Sequence, residues 1–170
     1  MPENLIPTSV VPHLRYPYKN FNPAQSLVVP WRDKDVNIIC AFPTGAGKTE
    51  CAELIMDHAL RNRKKAIYAA PMKAIAQEKK KKWESPEHGF SGYSVIEITS
   101  DYQMTPERLK EVKEADIIVM TTEALDSKCR RMESEKNDWL LDVGALVVDE
   151  VHLLTFEVRG DRLESAIMRF

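Results

Sequence analysis

Val36-Asn37-Ile38-Ile39-Cys40-Ala41 runs into Phe42-Pro43-Thr44-Gly45-Ala46-Gly47-Lys48-Thr49 and then into Glu50-Cys51-Ala52-Glu53-Leu54-Ile55-Met56, and this passage decides the fold. The apolar first part reads as a strand. The last part has helical spacing, with Ala52, Ile55, Met56, Ala59 and Leu60 on one face. Strand, glycine-containing loop and helix in that order form the setting of a phosphate-binding loop. Gly45 and Gly47 let backbone N–H groups close around an anionic oxygen. Lys48 brings a mobile positive charge, and Thr49 offers a hydroxyl to Mg²⁺ at a helix N-terminus. Thr44, Gly45, Ala46, Gly47, Lys48 and Thr49 are therefore expected to hold a nucleoside triphosphate with magnesium. Phe42 departs from the general pattern, which has Gly at that point.

A second passage supplies the partner of this loop. Leu146-Val147-Val148 is a short apolar run, readable as a buried parallel strand, and it ends in the adjacent carboxylates Asp149 and Glu150, followed by Val151-His152. A parallel strand ends at the crevice above the sheet. There Asp149 can hold magnesium through its water shell, and Glu150 can orient and deprotonate an attacking water. Lys48, Asp149 and Glu150 are the expected catalytic set.

The rest of the chain alternates strand and helix after an irregular, proline-rich lead over residues 1–30 with Pro2, Pro7, Pro12 and Pro17. Strands are expected at Ala66–Ala70, Tyr93–Ile98 and Asp116–Met120. Helices are expected at Met72–Trp83 and Glu107–Lys113, the latter with Thr105 as N-cap and Pro106 at its first position. Leu163, Ile167 and Phe170 mark a further helical stripe. Such alternation implies an α/β domain over residues 31–170, a mostly parallel sheet covered by helices on both faces. The formal net charge of −2 excludes a global basic field, so nucleic-acid contact requires a local patch. The run Lys79-Lys80-Lys81-Lys82 beside Trp83 reads as a solvated helix end helped by the helix dipole. Three cysteines without metal-like spacing read as reduced thiols: Cys40 in a strand core, Cys51 and Cys129 on helices. His13, His58 and His88 read as surface or packing residues. Without an apolar leader or anchor, the expectation is a soluble, cytoplasmic protein with no membrane contact.

At this point the residues carry a family resemblance. Phe42–Thr49 with Asp149-Glu150-Val151-His152 resembles motifs I and II of superfamily 2 helicases, in the DExH branch that includes archaeal repair helicases and large RNA helicases. Pro71-Met72-Lys73-Ala74-Ile75-Ala76-Gln77-Glu78-Lys79 resembles motif Ia, Thr99-Ser100-Asp101-Tyr102 the short motif after it, and Thr121-Thr122-Glu123-Ala124-Leu125-Asp126-Ser127 motif Ib. Arg159-Gly160-Asp161-Arg162-Leu163-Glu164 is similar to the segment following motif II, and Phe21-Asn22-Pro23-Ala24-Gln25 to the adenine-reading Q motif. The resemblance implies a RecA-like domain that uses ATP and Mg²⁺ and tracks a strand of DNA or RNA through Pro71, Lys73, Thr99, Ser100, Asp101, Thr121 and Thr122. Lys73 stands where relatives often have Arg, which weakens bidentate phosphate contact. Gln25 would read adenine beside Tyr16, Tyr18 or Phe21, unless it only starts a helix after Asn22-Pro23. His152 would couple nucleotide state to the second motor domain, unless it is simply a satisfied polar neighbour.

The resemblance also defines a gap. Family members carry a motif III strand between the strands of motifs I and II, and a second RecA-like domain that brings an arginine finger. Neither is found in this sequence, and Ser165-Ala166 lacks the Thr of a motif III. Neighbouring strands lie about 4.8 Å apart, so a missing middle strand leaves two unpaired ladders. Each buried orphan costs about 1–3 kcal/mol against a total stability of about 5–15 kcal/mol. The expected partner is thus a second RecA-like domain, in another chain or a further part of the same protein, with ATPase activity weak or absent in the isolated chain. The alternative reading is a nucleotide-gated nucleic-acid-binding or regulatory subunit without motor activity.

Overall fold

A computed structural model describes residues 5–99, 104–152 and 164–169. Among these, helix α1 (Pro23–Val28) is followed by α2 (Lys48–Arg61), β1 (Lys65–Ala70), α3 (Lys73–Trp83), β2 (Val95–Ile98), α4 (Pro106–Glu114), β3 (Ile117–Thr121), α5 (Thr122–Cys129) and β4 (Val143–Val148). Residues 164–169 are helical, with Ala166 buried. Short 3₁₀ turns lie at Thr8–Val10, Val29–Trp31 and Asp138–Asp142.

The described strands form one parallel sheet in the order β2-β3-β1-β4. Alternation along β1 and β3 divides the core into two layers. Tyr68, Ala70, Ile117 and Val119 face α2 and α3 through Leu54, Met56, Ala76 and Trp83. Ile67, Ala69, Ile118 and Met120 face the other way, onto Val112 of α4, Leu125 of α5 and Trp139. Helices therefore cover both faces, as strands buried on both sides require. Thr105 caps α4 by accepting from Arg108 N at 3.2 Å, with Pro106 as the first helical residue, as its sequence predicts. The proline-rich lead is not a separate appendage: Val11, Leu14 and Phe21 are buried in the α2/α3 layer.

The structure corrects one element. Residues 36–41 form no strand, and Ile39 is 85% exposed. Strand formation needs a neighbouring ladder. The outer side of β4 carries no strand among the described residues, and the chain entering the phosphate loop makes no ladder with it. Cys40 is consequently half-buried rather than a core residue, whereas Cys51 and Cys129 are buried on their helices. No described helix is long and apolar enough to cross a membrane.

Candidate nucleotide-binding site

The loop itself takes the conformation its sequence demands. Gly45 and Gly47 have φ of +81° and +80°, left-handed values that glycine adopts without a Cβ penalty, and Gly47 caps α2. A side chain at position 47 would also run into the Gln25 amide. Lys48 Nζ donates to the carbonyls of Phe42 at 3.0 Å and Pro43 at 3.5 Å, so its charge lies across the mouth of the loop. Asn22 Nδ2 supports the loop from outside by donating to Ala46 O at 2.9 Å.

Gln25 is used by the protein itself. Its side-chain Oε1 accepts from Asn22 N at 3.0 Å while Asn22 Oδ1 accepts from Gln25 N at 2.9 Å, a reciprocal capping box at the start of α1. The residue is 4% exposed and its Nε2 reaches Tyr18 Oη at 3.5 Å. Tyr16 and Tyr18 stack on one another with centroids 5.3 Å apart, and Phe21 is buried beneath them. Burial, then the charge of Glu50, pushes the Tyr18 phenol up to about 12.

On the opposite side, Asp149 N donates to Ala69 O at 2.9 Å, carrying the β1–β4 ladder one residue past the strand end. Asp149 Oδ2 accepts from Tyr68 Oη at 2.6 Å and Oδ1 from Glu150 N at 2.9 Å. Tyr68 was not singled out by the sequence. It is a polar-tipped residue inside an apolar strand, which is the only signal it carries. Burial, and next its bond to Asp149, raises its phenol well above the ordinary range. Glu150 turns out of the strand with φ +53°, a left-handed conformation that costs a non-glycine residue about 1–2 kcal/mol. Its carboxylate pairs with His152 Nδ1 at 3.1 Å.

Lysine residues read as a solvated helix end prove to be specific contacts. Lys79 Nζ donates to Thr49 Oγ1 at 3.1 Å, and Lys82 Nζ to Glu53 Oε1 at 2.9 Å. Glu53, 1% exposed on α2, also accepts from Trp83 Nε1 at 2.9 Å and from His88 Nε2 at 3.2 Å. Burial opposes the charge of Glu53, yet these donors together hold its pKa below the usual carboxylate value. The Tyr68 ring packs edge-on against Trp83, 5.1 Å between centroids, so Asp149 is linked to α2 by a continuous path of side chains. His13 and His58 pair with Asp57 and Asp33, in keeping with packing roles.

Magnesium keeps most of its waters and takes one or two protein oxygens plus phosphates. Thr49 Oγ1, which already accepts from a cation, and the Asp149 carboxylate fit that demand. No cluster of three acidic, histidine or cysteine residues suited to an all-protein metal cage occurs among the described residues.

The residues expected to track a nucleic acid fall in a row along the C-terminal edge of the sheet. Thr99 follows β2, Thr121 ends β3 and Pro71 follows β1, while Lys73 begins α3 and is exposed. Their hydroxyls are less available than the sequence implies. Thr121 Oγ1 caps α5 by accepting from Ala124 N at 3.3 Å, and Thr122 Oγ1 donates to Glu123. Thr99 is 3% exposed and its hydroxyl finds no partner among the described residues. Ser100 and Asp101 lie outside the described residues, as do Arg159 to Leu163.

Comparison with known proteins agrees with this architecture. The family model for DEAD/DEAH box helicases matches residues 22–170. The chain is 36% identical over 157 residues to the RQC trigger complex helicase SLH1 of Saccharomyces cerevisiae, covering 91% of the chain and 8% of that protein. It is 39% identical over 135 residues to the ATP-dependent DNA helicase Hel308 of Pyrococcus horikoshii, covering 79% of the chain and 18% of that protein. The fold resembles that of Mycobacterium smegmatis helicase Lhr, with a TM-score of 0.70 at 23% identity over 87% of this chain and 20% of the other. The chain thus spans less than a fifth of the length of these curated relatives.

Proposed function

The chain belongs to the DEAD/DEAH box helicase family, and from that premise we propose that it is the ATP-binding first motor domain of a DExH-type superfamily 2 helicase. Joined to a second RecA-like domain, in another chain or in a further part of the same protein, it couples ATP hydrolysis to movement along a nucleic-acid strand. One observation carries the reading. Thr49 at the head of α2 and Asp149 just past β4 are each bonded by the β1–α3 unit, through Lys79 and Tyr68 respectively. The names of the relatives support it, since Hel308 is an ATP-dependent DNA helicase and Lhr was solved bound to ssDNA and AMP-PNP.

In this reading Lys48 leaves the carbonyls of Phe42 and Pro43 for the terminal phosphates, and the N–H groups around Gly45 and Gly47 hold the phosphate oxygens. Thr49, and Asp149 through a water, would hold the magnesium, which would neutralise charge developing on the phosphates. Glu150 rotates from His152 to take the proton of the attacking water at its carboxylate. An arginine finger is worth about 10³–10⁵ in rate and comes from the second domain in such motors, so the chain alone turns over slowly. Free thiols at Cys40, Cys51 and Cys129 fit a reducing, cytoplasmic setting.

Nucleotide binding and turnover, measured side by side, test the roles. Lys48→Ala should abolish nucleotide affinity, whereas Glu150→Gln should spare binding and stop hydrolysis. Equal loss of binding in both variants rejects the assignment. The pairing of Glu150 with His152 favours a second reading, a nucleotide-gated nucleic-acid-binding or regulatory subunit. Under it, ATP binds yet neither nucleic acid nor an added second domain raises turnover.

A further inference from the structure

Within the lysine run of α3, Lys80 meets Glu84 at 2.8 Å and Lys82 meets Glu53 at 2.9 Å, each a carboxylate. Lys79 meets instead the neutral hydroxyl of Thr49, at 3.1 Å. An ammonium thus rests on the hydroxyl that the first turn of α2 offers a metal, next to Glu50 of the same turn. The strand that feeds α3 meanwhile donates Tyr68 Oη to Asp149, so the β1–α3 unit occupies both metal-facing side chains.

These two donors differ in what metal loading does to them. A carboxylate has about four acceptor sites, so Asp149 can keep the tyrosine and still bind a metal's water. A hydroxyl has two lone pairs on one small oxygen. An ammonium and a divalent cation sharing it would lie within a few ångströms of each other, in a partly dehydrated site where like charges repel strongly.

We propose that Lys79 is a placeholder for the metal: in the metal-free chain its ammonium holds Thr49 Oγ1, and magnesium with nucleotide expels it. The inference rests on the reading above that the triphosphate binds at residues 44–49, and it gives a positioning role to the last residue of the motif Ia-like segment. Without metal, the ammonium serves as counter-charge to the phosphates. With metal, it competes for Thr49. Both effects reduce the dependence of nucleotide affinity on magnesium. Expulsion removes one contact between α3 and α2, while Lys82 and Trp83 keep their bonds to Glu53.

Titration of a fluorescent ADP into the chain, with Mg²⁺ and separately with a chelator, gives a ratio of dissociation constants that tests this without reference to turnover. Lys79→Gln should raise the chelator-to-magnesium ratio about three- to tenfold over the unsubstituted chain, the range a single hydrogen bond spans. Lys79→Arg, which keeps the charge, should leave the ratio close to that of the unsubstituted chain. A ratio unchanged or lowered in Lys79→Gln, with nucleotide still bound, overturns the placeholder alone. Equal ratios in both variants, each raised, assign the effect to shape and also overturn it. Failure of the unsubstituted chain to bind the nucleotide, or binding unaffected by Lys48→Ala, overturns the site reading as well. Melting curves without ligand confirm that the variants are folded.

Discussion

Tyr68 Oη lies 2.6 Å from Asp149 Oδ2, joining the middle of β1 to the residue that follows β4. The two strands are already neighbours in register, Ala69 opposite Val148, so the bond adds orientation to a carboxylate whose main chain is fixed. Its other oxygen takes the N–H of Glu150, leaving Asp149 one rotamer that satisfies both donors.

Tyr68→Phe removes this donor with little change of shape. A hydrogen bond to a carboxylate that water can partly replace is worth about 1–2 kcal/mol, which urea unfolding should register. The Mg²⁺ concentration for half-maximal nucleotide binding should rise about three- to tenfold as Asp149 loses its fixed orientation. A pH signature accompanies it. Burial, then the Asp149 contact, raises the folded phenol above its ordinary 10.0, so the folded chain keeps a proton that the unfolded chain loses. That stability is whole below pH 10 and drains away as pH climbs past it. The decline should be shallower in Tyr68→Phe.

Glu53 gives the opposite pH dependence. Although burial works against its charge, His88, Lys82 and Trp83 hold its pKa under the ordinary 4.5. The contribution is complete above that value and is lost as pH falls through the folded pKa. The Lys82 side chain is 39% exposed, so its share is discounted for solvent screening. Glu53→Gln should then cost about 2 kcal/mol at neutral pH and flatten the acid limb of a stability profile below pH 4.5. An undiminished acid limb would place that dependence elsewhere.

What the sequence disclosed and what it hid divide along the range of the interaction. The phosphate loop and the Asp149-Glu150 strand end were legible because a few consecutive residues determine them, as were the Thr105 cap and the Pro106 start of α4. The 36–41 segment was misread because its composition suits a strand, while strand formation depends on a distant neighbour that supplies a ladder. Lys79 and Lys82 were read as solvated because a lysine run on one helix says nothing about which oxygens the next helix presents. For Gln25 the competing readings were both written in the residues. Asn22, three positions earlier, decides for the capping box, which leaves any adenine contact to its remaining amide hydrogens.

Gly45 and Gly47 share a left-handed backbone and differ in surroundings, which separates two costs. Gly45→Ala meets open space, so only the backbone penalty of about 1–2 kcal/mol applies. Gly47→Ala incurs the same penalty and also drives a methyl group into the Gln25 side chain, breaking the capping box that holds α1 against the loop. Thermal melting should fall further for the second variant. Nucleotide binding should weaken in both and be lost in Gly47→Ala.

Ile39 and Ile118 test the open side of the sheet. Ile118 is fully buried in β3, and truncation to Ala should cost about 2–5 kcal/mol. Ile39 has strand-like neighbours in sequence yet stands 85% exposed, so Ile39→Ala should leave the chain's urea midpoint within about 0.5 kcal/mol of its unsubstituted value. The outer edge of β4 and an exposed apolar segment together form a surface prone to pairing with other chains. Ile39→Ala should accordingly lower concentration-dependent aggregation in light scattering while leaving stability alone. A loss of stability comparable to that of Ile118→Ala would mean that residues 36–41 are packed into the sheet in solution, and the open edge described above would then be closed.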